Sequence, residues 1–316
     1  MARGVLSFPL TAFHDDGSLD PDGFRAHVAA RLAAGPGAVF PACGTGEFFS
    51  LDEEEYRTVV RITVEEAATQ VPPRAGGPAR EGGPARDGVP VVAGTGYGWA
   101  QATRFARIAE EAGADALLVL PHYLVDAPQE GLAAQLERLA ERTRLPLIAY
   151  QRGQVAYGVE TLRRIARIPN VIGLKDGHSD LDRLQRLTLA APDGFLFFNG
   201  AATAEIQARA YAAVGVPAYS SAVHAFAPEI AGAFFAALRD GREDTADKLL
   251  REFYVPFVEL RDRAPGYAVS LVKAAARLRG QRVGPVRAPL ADPAPADLAE
   301  LKTLLAAGLD LVGALL

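Results

Sequence analysis

Eight short apolar runs recur along the chain, each followed by a segment long enough for a helix. This alternation limits the available folds more than any other feature. The runs cover residues 5–10, 38–42, 89–93, 116–120, 147–150, 171–174, 195–199 and 216–219. They are rich in Val, Leu, Ile and Phe with little polar alternation, the pattern of strands buried on both faces. Between them apolar residues fall at helical spacing: Phe105, Ile108, Ala109 and Ala112; Leu132, Leu136, Leu139 and Ala140; Leu162, Ile165 and Ala166; Leu181, Leu184 and Leu187. Gly113, Gly194 and Gly215 follow the last periodic residues, where helices end. Eight such units predict an α/β fold, a (β/α)8 TIM barrel, with a doubly wound sheet as the rival that the same alternation would serve.

A barrel takes roughly 250 residues, and this chain has 316. After the eighth run only helical segments follow, at 229–239, 243–262, 266–278 and near 296–307, with a proline-rich connector at 285–293. Residues 1–224 are therefore read as the barrel core, and 225–316 as its last helix plus a C-terminal helical extension. Residues 71–88 read as a Gly/Pro/Arg-rich insertion, with GGPAR repeated at 76–80 and 82–86. Without apolar anchors such a stretch cannot bury surface, so a flexible loop is expected there, on the barrel face away from the usual active site.

Composition narrows the function. Lys plus Arg is 33 against 38 for Asp plus Glu, a net charge of −5. That disfavours a nucleic-acid partner, which needs a basic face. The single cysteine, Cys43, excludes an internal disulfide and any thiolate zinc site. No apolar run approaches the ~18 residues of a membrane span. The N-terminal run contains Pro9, leads into Asp15 and Asp16, and has no small-residue cleavage site, so it reads as a strand. A soluble, cytoplasmic protein with no membrane partner is expected.

Barrel active sites gather at the C-terminal ends of the strands. There stand Gly44-Thr45-Gly46-Glu47, Gly94-Thr95-Gly96-Tyr97-Gly98, Pro121-His122-Tyr123, Tyr150-Gln151-Arg152, Lys175-Asp176-Gly177, Asn199-Gly200 and Tyr219-Ser220-Ser221. Only four of the basic residues are lysines, so Lys175 stands out after an apolar strand. A desolvated lysine can lose its proton and attack a carbonyl, which arginine cannot. An ion pair with Asp176 is the plainer reading. Tyr150 can shuttle protons or be a buried phenol. The 44–47 turn can offer N–H groups and the Thr45 hydroxyl to a carboxylate, or be a tight turn only. Ser220 and Ser221 can meet substrate or cap the next helix. None of the five histidines pairs at metal-ligand spacing, so no metal is expected. His27 reads as structural, while His122, His178 and His224 fall on loops at the functional face. Neither glycine loop fits a dinucleotide fingerprint; the third-strand loop has Trp99 where a glycine would be needed.

Taken together, the segment Phe40-Pro41-Ala42-Cys43-Gly44-Thr45-Gly46-Glu47-Phe48-Phe49-Ser50-Leu51 resembles the carboxylate-binding loop of the dihydrodipicolinate synthase / N-acetylneuraminate lyase family. Tyr150 and Lys175 are similar to its proton-relay tyrosine and Schiff-base lysine. Further likeness runs through Gly173-Leu174-Lys175-Asp176-Gly177, Ala202-Thr203-Ala204-Glu205, Tyr219-Ser220-Ser221-Ala222-Val223 and Gly266-Tyr267-Ala268-Val269-Ser270. Cys43 and His224-Ala225-Phe226 depart from the usual pattern. The resemblance implies a class I lyase that needs no metal or organic cofactor. It would dehydrate and decarboxylate a sugar acid with a 2-oxo acid end, a methylene, a hydroxyl and a distal carboxylate. A pyruvate-releasing aldolase of the same family is the alternative, and a non-catalytic sugar-acid sensor a more distant one. It further implies that Lys175 forms the imine and that Tyr150, aided by Tyr123, relays protons. Gly44, Thr45 and Gly46 would hold the reacting carboxylate, while Arg152, Asn199, Ser220 and Ser221 would meet the rest of the substrate. A homo-oligomer, dimer or tetramer, follows from the same resemblance.

Overall fold

The computed structural model describes residues 4–69 and 88–316. Apart from Gly88, the insertion expected at 71–88 lies outside the described residues. Eight parallel strands are present among them: β1 (Leu6–Ser7), β2 (Ala38–Val39), β3 (Val92–Gly96), β4 (Ala116–Leu120), β5 (Leu147–Gln151), β6 (Val171–Asp176), β7 (Leu196–Asn199) and β8 (Ser220–Ser221). They form two ladders, β2-β1-β8 and β3-β4-β5-β6-β7. Single parallel bridges, Val39 to Val91 and Asn199 to Tyr219, join the ladders at both seams and close the barrel. Closure decides between the two folds that alternation left open.

The strand bounds differ from the apolar runs for local reasons. β1 is short because Pro9 has no N–H to give to the ladder. β3 begins after Pro90 and runs through Gly94 and Gly96, which read as a loop from sequence. A Cβ at Gly94 would lie 2.0 Å from the Ala42 carbonyl oxygen, so only glycine lets the β2 loop pass this close. β6 carries its ladder through Lys175 and Asp176. β8 lies on the two serines, beyond the apolar run at 216–219, because the serine backbones pair with β1 at Leu6 and Ser7.

Seven helices lie between or after strands: α1 (Pro21–Ala33), α2 (Glu53–Thr69), α3 (Trp99–Glu111), α4 (Gln129–Ala140), α5 (Val159–Ile165), α6 (Leu181–Ala190) and α7 (Ala208–Ala213). Their apolar stripes bury against the barrel; Phe105, Ile108 and Ala109 of α3 and Leu132, Leu136 and Leu139 of α4 are all buried. Then come α8 (Pro228–Arg239), α9 (Glu243–Leu249), α10 (Val255–Arg261), α11 (Tyr267–Leu278) and α12 (Pro295–Asp310). A π-helical turn, Leu250–Tyr254, joins α9 to α10 just before Pro256, whose missing N–H cannot continue the i→i−4 ladder. No helix among the described residues is long and apolar enough to cross a membrane.

Two histidines are part of the core. In α1, His27 Nε2 accepts the Leu10 N–H at 3.0 Å while Nδ1 donates to Gln281 Oε1 at 2.7 Å. His224, which reads from sequence as a residue of the functional face, is buried with Nδ1 2.9 Å from Ser7 Oγ. Burial pulls both down to about 3. Burial also lifts Glu205 to about 7. Above pH 6.5 the histidines are neutral folded or unfolded; below it only the unfolded chain gains their protons. Stability is therefore lost as the pH falls from 6.5 toward 3, on the order of 4 kcal/mol per histidine at the limit. Glu205 acts oppositely between about 4.5 and 7, because the unfolded chain ionises first as the pH rises. The expected melting temperature thus falls on acidification, most steeply below pH 4.5, where Glu205 no longer offsets the histidines. A His27→Gln variant should have the shallower profile; melting curves that fall in parallel for parent and variant would remove His27 from the account.

Candidate functional site

At the C-terminal mouth of the barrel lies a cavity of about 580 Å³ to which all eight strands or the loops after them contribute. Its floor is built by register. Tyr150 on β5 pairs directly with Lys175 on β6, and Lys175 pairs with Phe198 on β7, so the three side chains share a side of the sheet. The Lys175 ammonium lies 4.1 Å from the ring centre of Phe8, 4.5 Å from that of Tyr150 and 5.7 Å from that of Phe198. No carboxylate pairs with it among the described residues. Burial lowers its pKa from the usual lysine value.

The ion pair with Asp176 is absent because consecutive strand residues face opposite ways. The Asp176 carboxylate instead accepts Gln151 Nε2 at 2.6 Å, the Tyr211 hydroxyl, and the backbone N–H groups of His178 and Ser179. Gly200 has a role that sequence reasoning did not find. A Cβ there would sit 2.3 Å from Lys175 Cε, so glycine gives the lysine stem its path into the cavity. Its place directly after Asn199 at a strand end was the available signal.

Tyr150 donates its hydroxyl to the Gly200 carbonyl at 3.3 Å and accepts from Arg152 Nη1 at 3.3 Å. Arg152, Gly153 and Gln154 line the side of the cavity beyond β5. Gly44 and Thr45 line it from the β2 loop, and Ser220 from β8, with Ser220 Oγ bonded to the Asn199 carbonyl at 3.1 Å. His122 and Tyr123 form the β4 edge; the Tyr123 ring meets that of Tyr97 edge-on at 5.8 Å and is 66% exposed. Ala268 and Val269 of α11 supply a wall from the C-terminal helices.

Three residues expected at the substrate lie elsewhere. Ser221, one position from Ser220, faces the other side of β8; it donates to Glu205 and accepts the His224 N–H at 3.1 Å. Asn199 ties the β7 loop, with Nδ2 on the Ala204 carbonyl and Oδ1 accepting from Ala201. Gly46 lies beneath the turn, its carbonyl accepting Thr11 Oγ1 at 2.8 Å. His178 is bonded to the Val155 carbonyl at 2.8 Å. Cys43 is buried next to the turn, and burial pushes its thiol up to about 12, which leaves it inert. Among the described residues no group of three or more His, Cys, Asp or Glu is placed to hold a metal ion.

The chain matches the model of the dihydrodipicolinate synthetase family over residues 1–79 and 83–307. It is 79% identical to a probable 5-dehydro-4-deoxyglucarate dehydratase 2 of Streptomyces avermitilis, across the whole chain and 90% of that relative. A protein of the same description from Streptomyces coelicolor is 75% identical over the whole chain and 92% of its own length. Among solved structures, dihydrodipicolinate synthase from Bacillus clausii superposes with a TM-score of 0.82 at 26% identity, over 96% of each chain. The 4-hydroxy-tetrahydrodipicolinate synthase of Methylacidiphilum fumariolicum gives 0.83 at 24% identity, over 98% of this chain and 97% of that one.

Proposed function

From its membership of the dihydrodipicolinate synthetase family, to which this chain belongs, we propose that it is a 5-dehydro-4-deoxyglucarate dehydratase working through an imine at Lys175. The observation that carries the chemistry is the Lys175 amine: buried, with no carboxylate partner among the described residues, and beside Tyr150 in the barrel mouth. The names of its relatives carry the choice of reaction.

Lys175 attacks the substrate ketone and water leaves, giving a protonated imine. That cation acidifies the neighbouring methylene, and loss of its proton gives a neutral enamine. The enamine expels the β-hydroxyl as water, leaving a conjugated iminium. The distal carboxylate then leaves as carbon dioxide, and its bonding electrons pass through the new double bond into the iminium. Protonation, tautomerisation and hydrolysis release 2,5-dioxopentanoate and restore the amine. One electron sink serves both eliminations, and no metal or organic cofactor enters.

Gly44 and Thr45, which line the cavity, hold the carboxylate beside the ketone. Tyr150 relays protons, and the charge of Arg152 on its oxygen stabilises the phenolate left when the proton is given away. The remaining nitrogens of Arg152, with Ser220, suit the distal carboxylate and hydroxyls, since a guanidinium fork can bind a carboxylate twice. The exposed run Tyr123, Leu124 and Val125 (66%, 80% and 58%), whose first residue lines the cavity, supports a homo-oligomer in which a second copy covers it.

Incubation with 5-dehydro-4-deoxyglucarate should release one carbon dioxide per substrate and form 2,5-dioxopentanoate. Pyruvate with a three-carbon aldehyde acid, and no gas, would make the protein an aldolase and leave only the imine chemistry standing.

A further inference from the structure

The turn that lines one side of the cavity is held from underneath by charges that come from the far end of the chain. Its last residue, Glu47, has φ +54°, and Ala42 before it has φ +49°, both in the left-handed region that suits glycine. The Glu47 N–H closes the turn on the Gly44 carbonyl at 3.2 Å. The Glu47 carbonyl accepts Ser50 Oγ at 2.9 Å and the Gly46 carbonyl accepts Thr11 Oγ1 at 2.8 Å, and one contact of much longer range adds to these.

That contact is the Glu47 carboxylate. Oε1 accepts from Lys273 Nζ at 2.7 Å, 226 residues away, and both side chains are fully buried. Oε2 accepts the backbone N–H of Arg287 at 3.0 Å. Lys273 Nζ and Arg287 Cζ lie 4.1 and 4.0 Å from the centre of the Phe13 ring. Arg287 also donates to the Ser50 carbonyl at 2.6 Å and the Gly17 carbonyl at 2.8 Å, and pairs with Glu55. Burial brings Lys273 down only to about 8, so it is a cation at neutral pH.

A buried ion pair adds little net stability, because desolvation offsets the attraction; what it supplies is a defined geometry. The geometry here is specific. Lys273 sits on α11, the helix whose Ala268 and Val269 form a cavity wall, and Glu47 ends the turn whose Gly44 and Thr45 form another. We propose that Glu47 and Lys273 are positioning residues whose ion pair sets this turn against α11 and so fixes where the substrate carboxylate sits relative to Lys175. The inference rests on the function proposed above.

The test compares the parent chain with Glu47→Gln and with Glu47→Gln/Lys273→Met on 5-dehydro-4-deoxyglucarate. Glu47→Gln keeps an acceptor for Arg287 and lets Lys273 shed its proton. The double variant removes both charges at nearly constant volume, a change that buried pairs tolerate. The parent must first trap substrate at Lys175 under borohydride; failure there sinks the proposed function and this inference with it. Given trapping, the expected variant melts within a few degrees of the parent and still traps imine at saturating substrate. Its KM rises roughly 10- to 100-fold, the worth of one misaligned hydrogen bond to a charged group, while kcat stays within a few-fold. A folded variant with the parental KM overturns the proposal, and so does a loss confined to kcat. Failure of both variants to fold overturns it too, by making the pair a requirement of the barrel.

Discussion

Lys175→Ala is expected to fold as the parent does and to lose all detectable turnover together with all borohydride-dependent mass addition. The fold survives because, among the described residues, no carboxylate pairs with the Lys175 nitrogen and would be left stranded, and the nitrogen's burial disfavours its charge. Turnover does not survive because every later step draws electrons into the iminium that this nitrogen forms. The other lysines are built-in controls. Lys273 is fully buried against Glu47, and Lys248 and Lys302 are exposed on the C-terminal helices. An adduct mapped to any of these three in the parent chain would overturn the assignment. The pH profile adds a second measurement. The amine attacks only when deprotonated, so kcat/KM should rise with pH through the Lys175 pKa. Burial places that limb below the ordinary lysine value near 10.5.

Tyr150→Phe should keep the fold and lose about 10²- to 10⁴-fold in kcat, the usual cost of removing a positioned proton relay. The ring stays over Lys175, so packing and the cation–π contact persist. What goes is the oxygen that joins Arg152 to the Gly200 carbonyl. Stopped-flow trapping should find imine formation slowed and substrate affinity little changed. Parental rates in this variant would move the relay elsewhere, with Tyr123 at the cavity rim the first residue to examine.

Much of the site was legible because a parallel barrel turns one-dimensional order into position. A residue at the C-terminal end of any strand reaches the same mouth, so Lys175, Tyr150, Arg152, Thr45 and Ser220 could be named from their places after apolar runs. Place along the chain misleads where one residue of offset matters. Ending the sixth strand at Leu174 left Asp176 available to Lys175, whereas the ladder continues and sends the two side chains apart. The same alternation separates Ser220 in the cavity from Ser221 on Glu205.

By itself, then, the sequence determined a parallel α/β fold, since strands buried on both faces and separated by amphipathic helices need a closed or doubly covered sheet, and the bridges that close the sheet chose the barrel. It also determined which reactive side chains stand at the strand ends. Tertiary structure alone decided how those groups are charged and held. Whether Lys175 is paired depends on where Asp176 finds Gln151 and Tyr211, and whether its stem fits depends on Gly200. The shape of the 44–47 turn depends on Lys273, 226 residues away. Burial and electrostatic pairing are set by neighbours in space, and local periodicity carries no record of which distant residue will become a neighbour.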